Sequence, residues 1–294
     1  MKYALLNNAG EIIEHDKAPT PTDNLADFLK AVYKIADQYQ GQFEGIAFSA
    51  PGKVDTKSST VYFGGALAYL DGVNFQRLVG DKYHVPVGVE NDGKAAALAE
   101  LWLGELKGIN NGAAVVLGTG IGGGIILDGK IWRGSHFQAG ELSFMQTEGD
   151  KSGFDRFGCT YGSAVKMIES VNKLIGNSDL KDGYAAFDAI FDAINNGNDQ
   201  ALKILDRECK EVATIIFNIQ SVVDLDKFVI GGGISAQPKV VEAINKQYDL
   251  ITNEVPFIAK MLTRPTIVRA KFMNEANIYG ALYALLLKLN GEDE

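Results

Sequence analysis

The segment that most constrains the fold is a buried apolar strand that runs into a glycine-rich turn and returns as a hairpin. Ala113 to Leu117 forms the strand, and Gly118-Thr119-Gly120-Ile121-Gly122-Gly123-Gly124 follows it. Ile125-Ile126-Leu127, the pair Asp128-Gly129 and Lys130-Ile131-Trp132 complete the hairpin, and Asp-Gly between apolar runs is the strongest short turn signal. Backbone amides in such a turn can face an anion, because glycine leaves no Cβ in the way of a phosphate. Thr119 adds a hydroxyl donor. The same turn serves as a plain structural corner. It lacks the Gly-Lys-Ser/Thr ending of a P-loop, and no helical run follows it as in a dinucleotide fingerprint.

Strand-like and helical patterns alternate along the rest of the chain, which points to an α/β architecture. Lys2 to Asn7 and Glu11 to Glu14 read as a hairpin around Asn8-Ala9-Gly10. Leu25, Phe28, Leu29, Val32, Ile35, Ala36 and Tyr39 recur at helical spacing behind the cap candidates Thr22 and Asp23. Gly45 to Ser49 is a short strand stopped by Ala50-Pro51-Gly52, Val85 to Val89 is another, and Asn91 to Leu103 reads as an Ala-rich helix. Later come a long helix over Leu202 to Val223, the strand Phe228-Val229-Ile230 with its turn Gly231-Gly232-Gly233, and a last helix over Asn277 to Leu289. The halves share an order. In the second, a strand and a glycine loop lead into the hairpin; in the first, the chain starts at the hairpin. Duplicate lobes would leave the first without its opening segment.

Composition excludes several classes. The 294 residues suit one large or two medium domains. No apolar run approaches the roughly 20 residues of a membrane span, and Met1 to Asn7 turns polar too soon for a signal peptide. A net charge of −9 with scattered basic residues argues against a nucleic-acid partner. Cys159 and Cys209 lie far apart and form no Cys-x-x-Cys pair, as expected of reduced thiols in a cytoplasmic protein. With three histidines at unrelated spacings, carboxylates and glycines must carry any chemistry.

Glu90-Asn91-Asp92 lies where a strand ends and a helix begins. Capping explains Asn and Asp there. The alternative is an aspartate that accepts a hydroxyl proton as the oxygen attacks phosphorus, a reaction that otherwise needs positioning and charge stabilisation. Glu141, after Gly140, is either a solvated loop residue or a carboxylate that accepts bonds from two adjacent sugar hydroxyls. Gly231, Gly232 and Gly233 form either a tight turn or a surface on which adenine and ribose lie against the backbone.

The ordered set Ser49-Ala50-Pro51-Gly52, Glu90-Asn91-Asp92, Gly118-Thr119-Gly120, Gly140-Glu141 and Ile230-Gly231-Gly232-Gly233 resembles the ROK family of bacterial sugar kinases, repressors and uncharacterised open reading frames. The resemblance runs from about Lys2 to Leu289 and is nearest to zinc-less sugar-kinase members. It implies a two-lobed actin/hexokinase-like (ribonuclease H-like) ATPase fold. The small lobe is expected over residues 1–106 plus 278–294, and the large lobe over 107–277. Asp92 takes the part of catalytic base, and Asn91, Glu141 and, at a weaker match, Gly64 and Gly65 that of sugar ligands. Gly118, Thr119 and Gly120 correspond to a phosphate loop, and Gly231, Gly232 and Gly233 to the adenosine loop. ATP and Mg²⁺ are the implied cofactors, a sugar the partner, and a homodimer the assembly.

Three departures from the family pattern stand out. Phe144 replaces the histidine that closes the Gly-Glu-x-Gly-His motif, and Cys159 alone remains of the cysteine cluster, so the structural zinc is expected to be absent. The Asp-x-Gly-Gly-Thr loop expected before Lys2 is missing, as the duplicated pattern already required, and with it goes the first lobe's opening strand. A catalytically impaired sugar-binding pseudokinase or sensor is therefore the alternative to an active kinase acting on a hexose or β-glucoside 6-hydroxyl. No helix-turn-helix extension precedes the first lobe, which disfavours a repressor.

Overall fold

The computed structural model describes residues 1–176 and 183–292. In the first half, the hairpin β1 (Lys2–Leu6) and β2 (Ile12–Lys17) leads to α1 (Leu25–Gln38) and β3 (Ile46–Ala50). A small antiparallel sheet follows, of β4 (Lys53–Asp55), β5 (Thr60–Tyr62) and β6 (Val73–Asn74). The short α2 (Asp81–Tyr83), β7 (Val87–Asn91) and α3 (Asp92–Leu103) complete this half. The second half opens with β8 (Gly112–Leu117), β9 (Ile121–Leu127) and β10 (Lys130–Trp132). Helices α4 (Gly158–Tyr161), α5 (Ala164–Leu174), α6 (Gly183–Asn195) and α7 (Asp199–Val223) precede β11 (Lys227–Gly231). The chain ends with α8 (Pro238–Asn253), α9 (Pro256–Met261), β12 (Thr266–Arg269) and α10 (Ala276–Asn290).

The second-half sheet has the order β10-β9-β8-β11-β12, with β8, β11 and β12 parallel and β9 and β10 antiparallel. Alternate residues of β8 and β11 serve opposite layers. Ala113, Val115, Leu117, Phe228 and Ile230 join Val171, Ile215, Ile216 and Ile244 in one core, while Ala114 and Val229 meet Ala97, Leu98 and Ala284 on the other face. Helices on both faces explain why β8 reads as an unbroken apolar run.

In the first half, β3 pairs in parallel with β7 from Ile46↔Val87 to Ala50↔Asn91. Ala50, Val87 and Val89 face a core with Phe28 and Val32 of α1. On the opposite face, a Cβ at Gly88 would lie 2.9 Å from Leu285 of α10. The β1–β2 hairpin forms a separate two-stranded sheet.

The alternating pattern holds, and the boundaries move for local reasons. Asn24, not Thr22 or Asp23, caps α1 by accepting from the Asp27 amide. Helix α7 starts at Asp199, ahead of Leu202, because the Asn198 side chain accepts from the Gln200 and Ala201 amides. Strand β7 begins at Val87 because the Val85 amide closes a turn on the Gly80 carbonyl and Pro86 has no amide to give. Gly122, Gly123 and Gly124 lie inside β9 rather than in the turn before it. The small β4–β6 sheet and helices α4 to α6, α8 and α9 carry no pattern read above.

Helices α3 and α10 cross at a close contact, where a Cβ on Gly280 would fall 1.7 Å from the Ala95 carbonyl oxygen. Gly280→Ala is expected to lower unfolding free energy by about 1–3 kcal/mol, the usual cost of overpacking. Urea denaturation measures it, and an unchanged midpoint would contradict this crossing.

Candidate active site

Strand β7 ends in Glu90 and Asn91, and Asp92 opens α3. Asn91 caps the helix: its Oδ1 accepts from the Gly93 amide at 3.1 Å and the Lys94 amide at 3.2 Å. Its Nδ2 donates to the Gly52 carbonyl at 2.9 Å. Its side chain also hydrogen-bonds to the Asp92 carboxyl, which opposes the rise of that group's pKa. Capping and function are thus compatible in one side chain. Gly52 in turn is pressed against the next loop, since a Cβ there would lie 2.2 Å from the Phe63 carbonyl oxygen. This contact sets Gly64 and Gly65 beside the Asn91 anchor, with Gly65 packed on the Pro51 ring.

Asp92 exposes its carboxyl at the first turn of α3. Desolvation by the surrounding protein raises its pKa most; the Gly93 amide, donating at 2.8 Å, opposes this, and the negative charge of Glu141 adds to the rise. The net shift is upward. A carboxylate poised above its ordinary range is a better proton acceptor, as general bases in closed sites are.

Glycine contacts bring Glu141 to this place. A Cβ on Gly93 would sit 2.5 Å from the Gly123 amide nitrogen, and one on Gly140 would sit 2.9 Å from the Gly123 carbonyl oxygen. The first turn of α3 and the Glu141 loop therefore close on the same residue of β9. Two residues further, the Ser143 hydroxyl accepts from the Ile121 amide and donates to the Ile121 carbonyl, both at 3.2 Å. That pair of bonds ties the Glu141 loop to the turn Gly118-Thr119-Gly120. The turn is closed by the Gly118 amide donating to the Gly120 carbonyl at 3.0 Å. Thr119 is exposed at its tip, and no atom lies within 4 Å of where a Gly118 Cβ would be. Packing does not require glycine at 118; open access over the turn does.

The turn Gly231-Gly232-Gly233 leaves β11 beside the end of β8. Gly232 has φ +88°, and a Cβ on it would fall 2.1 Å from the Leu117 carbonyl oxygen, so no other residue fits. Both glycine turns thus sit at the C-terminal ends of adjacent parallel strands, the edge where open α/β sheets bind ligands. Asp92, Glu141 and the turn at Thr119 are linked through β9, by the approaches to Gly123 and the Ser143–Ile121 bonds, and Gly232 meets Leu117 at the end of the neighbouring strand. Asn91 holds Gly52, next to Gly64 and Gly65, from the first half.

Three features escaped the sequence. Glu90 is 1 % exposed and is gripped by Arg133, whose Nε and Nη2 each lie 2.9 Å from one carboxylate oxygen. Burial pushes the Glu90 carboxyl up and Arg133 pulls it down. Lys94, 3 % exposed, has its pKa lowered by desolvation, against the raising influence of Glu90 and Glu141. A lysine directly ahead of the run Ala95-Ala96-Ala97 was the available signal. Phe144 and Phe154 are largely exposed, with Phe157 packed edge-on between them, and they stand as an apolar platform beyond Glu141.

The ROK family model matches residues 1–288. A "Beta-glucoside kinase" of Listeria monocytogenes is 28 % identical over 299 residues, covering 99 % of this chain and 95 % of its own. A ROK family protein of Streptococcus pneumoniae, solved in complex with sucrose, superposes with a TM-score of 0.84 at 28 % identity, over 99 % of this chain and 95 % of its own. A ROK family glucokinase of Streptomyces griseus, solved with glucose and AMPPNP, superposes at 0.77 with 22 % identity, over 97 % and 94 %. The fold is the two-lobed actin-like ATPase fold of these hexokinases and glucokinases.

Because Glu141 raises the Asp92 pKa, Glu141→Gln should lower it. Carboxyl carbon-13 titration of Asp92 reads this directly, and an unmoved or raised midpoint would dissociate the two groups.

Proposed function

The chain belongs to the ROK family, and on that premise we propose that it is a carbohydrate kinase that moves the terminal phosphate of ATP to a hexose or β-glucoside hydroxyl, the 6-hydroxyl by preference. The observation that carries this reading is the placement of an exposed carboxylate with a raised pKa, Asp92, on one surface with Glu141 and the open turn at Thr119. The β-glucoside kinase of Listeria monocytogenes supports the substrate class.

The residues divide the work. Glu141 accepts bonds from neighbouring sugar hydroxyls, and Asn91, anchored on the Gly52 carbonyl and bonded to the Asp92 carboxyl, sits beside them as a further sugar contact. Asp92 takes the proton of the attacking hydroxyl as its oxygen forms the bond to the γ-phosphorus and the bond to ADP breaks. Mg²⁺ arrives with ATP as part of the substrate, drawing most of its ligands from phosphate oxygens and water. The amides of Thr119 and Gly120 and the Thr119 hydroxyl face the phosphates in the turn that the Gly118 amide closes, and Gly231, Gly232 and Gly233 give the adenosine a flat backbone surface. Phe144, where the family motif has histidine, changes the sugar contact from polar to apolar, and with Phe154 it suits a stacked second ring. A disaccharide or aryl glucoside fits that platform better than a free hexose. The site works in a cytoplasmic protein, with a second copy of the chain as its expected partner and no nucleic acid.

A second reading, a sugar sensor without turnover, is favoured by one observation: the hairpin β1–β2 and the pair β3–β7 form two separate two-stranded sheets rather than one. Calorimetry and sugar-dependent ADP release separate the two. For a kinase, Asp92→Asn should lower kcat by about 10²–10⁴-fold, the range for a lost general base, while sugar affinity stays near that of the parent. Comparable turnover in Asp92→Asn would remove the base from the mechanism. Sugar binding by the parent without Mg·ATP binding or turnover would favour the sensor.

The raised Asp92 pKa sets the acid limb of the pH profile, because only the deprotonated carboxylate accepts the proton. Turnover should fall as pH drops through that pKa, and in Glu141→Gln the limb should move to lower pH. A limb that stays in place in that variant would assign it to another group.

A further inference from the structure

The loop that carries Glu141 has no core of its own. It runs from Arg133, directly after β10, to Glu141, and none of its residues is buried. Gly134 at φ +72°, Phe137 at +59° and Gly140 at +80° all have left-handed backbone. A bulky residue such as Phe137 is strained there and keeps that conformation only where its surroundings impose it. Within the loop, the Ala139 amide donates to the Arg133 carbonyl at 3.1 Å and the Glu141 amide to the Gln138 carbonyl at 3.3 Å. These bonds shape the loop without attaching it to the rest of the fold. A segment with so little buried apolar contact sits at the low-stability end of a structure. The place of Glu141 therefore depends on how the two ends of its loop are held.

The far end is held by Gly140 against Gly123. The near end is held by a side chain. That of Arg133 is 10 % exposed, and its Nε and Nη2 each lie 2.9 Å from Oε2 of Glu90. The other oxygen of that carboxylate, Oε1, accepts from the Asn91 amide at 2.8 Å. One buried carboxylate thus bonds on one side to the backbone leading into Asn91 and Asp92, and on the other to the first residue of the Glu141 loop. Stability alone is a weak reason for such a pair, because a buried ion pair gains little over apolar residues of similar volume. A planar guanidinium gripping through two nitrogens does supply a fixed orientation. It supplies this between the two segments whose carboxyls face one sugar in the proposed reaction.

We propose that Arg133 is a positioning residue for the sugar site: through its ion pair with Glu90 it holds the Glu141 loop at a fixed distance from Asp92, and so sets sugar affinity. The consequence for sugar rests on the kinase reading; the mounting of the loop does not. Without Arg133 the contact of Gly140 with Gly123 remains, so the loop stays attached at one end and swings at the other. Glu141 then keeps no single distance from Asp92, and sugar binding weakens. The turn Gly231-Gly232-Gly233 packs on Leu117 instead, so Mg·ATP binding is spared.

Two measurements test this, and the first needs no turnover. In the parent, Glu141→Gln lowers the Asp92 midpoint in carboxyl carbon-13 titration, because the Glu141 charge raises it. In an Arg133→Met background the same substitution should move that midpoint by about half as much or less, since the two charges no longer keep one distance. An equal displacement in both backgrounds overturns the proposal. Arg133→Met alone strands the Glu90 carboxylate in an apolar place and can fail to fold. The double variant Glu90→Met, Arg133→Met removes both partners, and the displacement is read there as well. The second measurement is sugar-dependent ADP release with cellobiose or glucose, whichever the parent phosphorylates. In the double variant KM for the sugar should rise about tenfold or more, the loss of one hydrogen bond to a charged group, with KM for Mg·ATP near that of the parent. A rise in both constants, or in neither, overturns the proposal. A parent that releases no ADP with either sugar defeats the kinase reading, and the titration then decides alone whether Arg133 mounts the Glu141 loop.

Discussion

The site depends on one close approach, that of two backbones to Gly123. Strand β9 presents its amide to the first turn of α3 and its carbonyl to the turn before Glu141, and a Cβ on either neighbour would lie within 2.5–2.9 Å of it. Asp92 and Glu141 come from segments nearly fifty positions apart. They meet because no side chain keeps their backbones from this strand. Packing of this kind is rigid. It fixes the separation of the two charges, and with it how far Glu141 raises the Asp92 pKa. The glycines read first as a phosphate cradle thus divide into two groups. Gly118 and Gly120 shape the open turn, while Gly123 joins the backbones that carry Asp92 and Glu141.

Charge around this contact is arranged in pairs. Glu90, buried one position before the cap, would be costly alone; Arg133, from the loop after β10, supplies two contacts to it. Such a pair gains little net stability, but losing one partner strands the other in an apolar place. Its structural effect is to pin the loop after β10, which leads to Gly140 and Glu141, onto the end of β7. Lys94 sits one helical turn beyond, amid Glu90, Glu141, Asp92 and Arg133. A buried cation there partly offsets carboxylates that would otherwise repel one another.

How much of this was legible differs by cause. Strands that are covered on both faces, such as β8, and glycine turns at their ends are visible as local runs, and so was the order that suggested two related halves. Asp92 and Glu141 were legible as candidates but not as neighbours, because their proximity is set by Gly93, Gly123 and Gly140 meeting in space. Glu90 and Arg133 were silent for the same reason: each looks like an ordinary solvated charge until the fold buries the pair. Asn24 and Asn198 displaced the expected helix starts because capping depends on which side chain reaches the amides, a choice among adjacent polar residues that periodicity does not make. Phe144 was legible as a departure from the family motif, but its grouping with the exposed Phe154 through Phe157 was not.

Helices α3 and α10 bind the two halves into one mechanical unit. Helix α3 is continuous with β7 of the first sheet, yet its buried Ala97 and Leu98 pack on the second. Its far end is held there as well: Glu100 accepts from the Phe272 amide at 2.9 Å, and the Leu103 carbonyl accepts from Lys271 at 2.8 Å. Helix α10 makes the reverse journey, following β12 and placing Leu285 against Gly45 and Gly88 of the first sheet. Each sheet is therefore covered by the helix that grows from the other. A displacement of one half relative to the other must pass through the α3–α10 crossing, where Gly280 leaves the backbones no slack. Asp92, at the start of α3, moves with that crossing rather than with either sheet alone. For the proposed kinase, this makes Asp92 the fixed point about which the loops on either side approach each other.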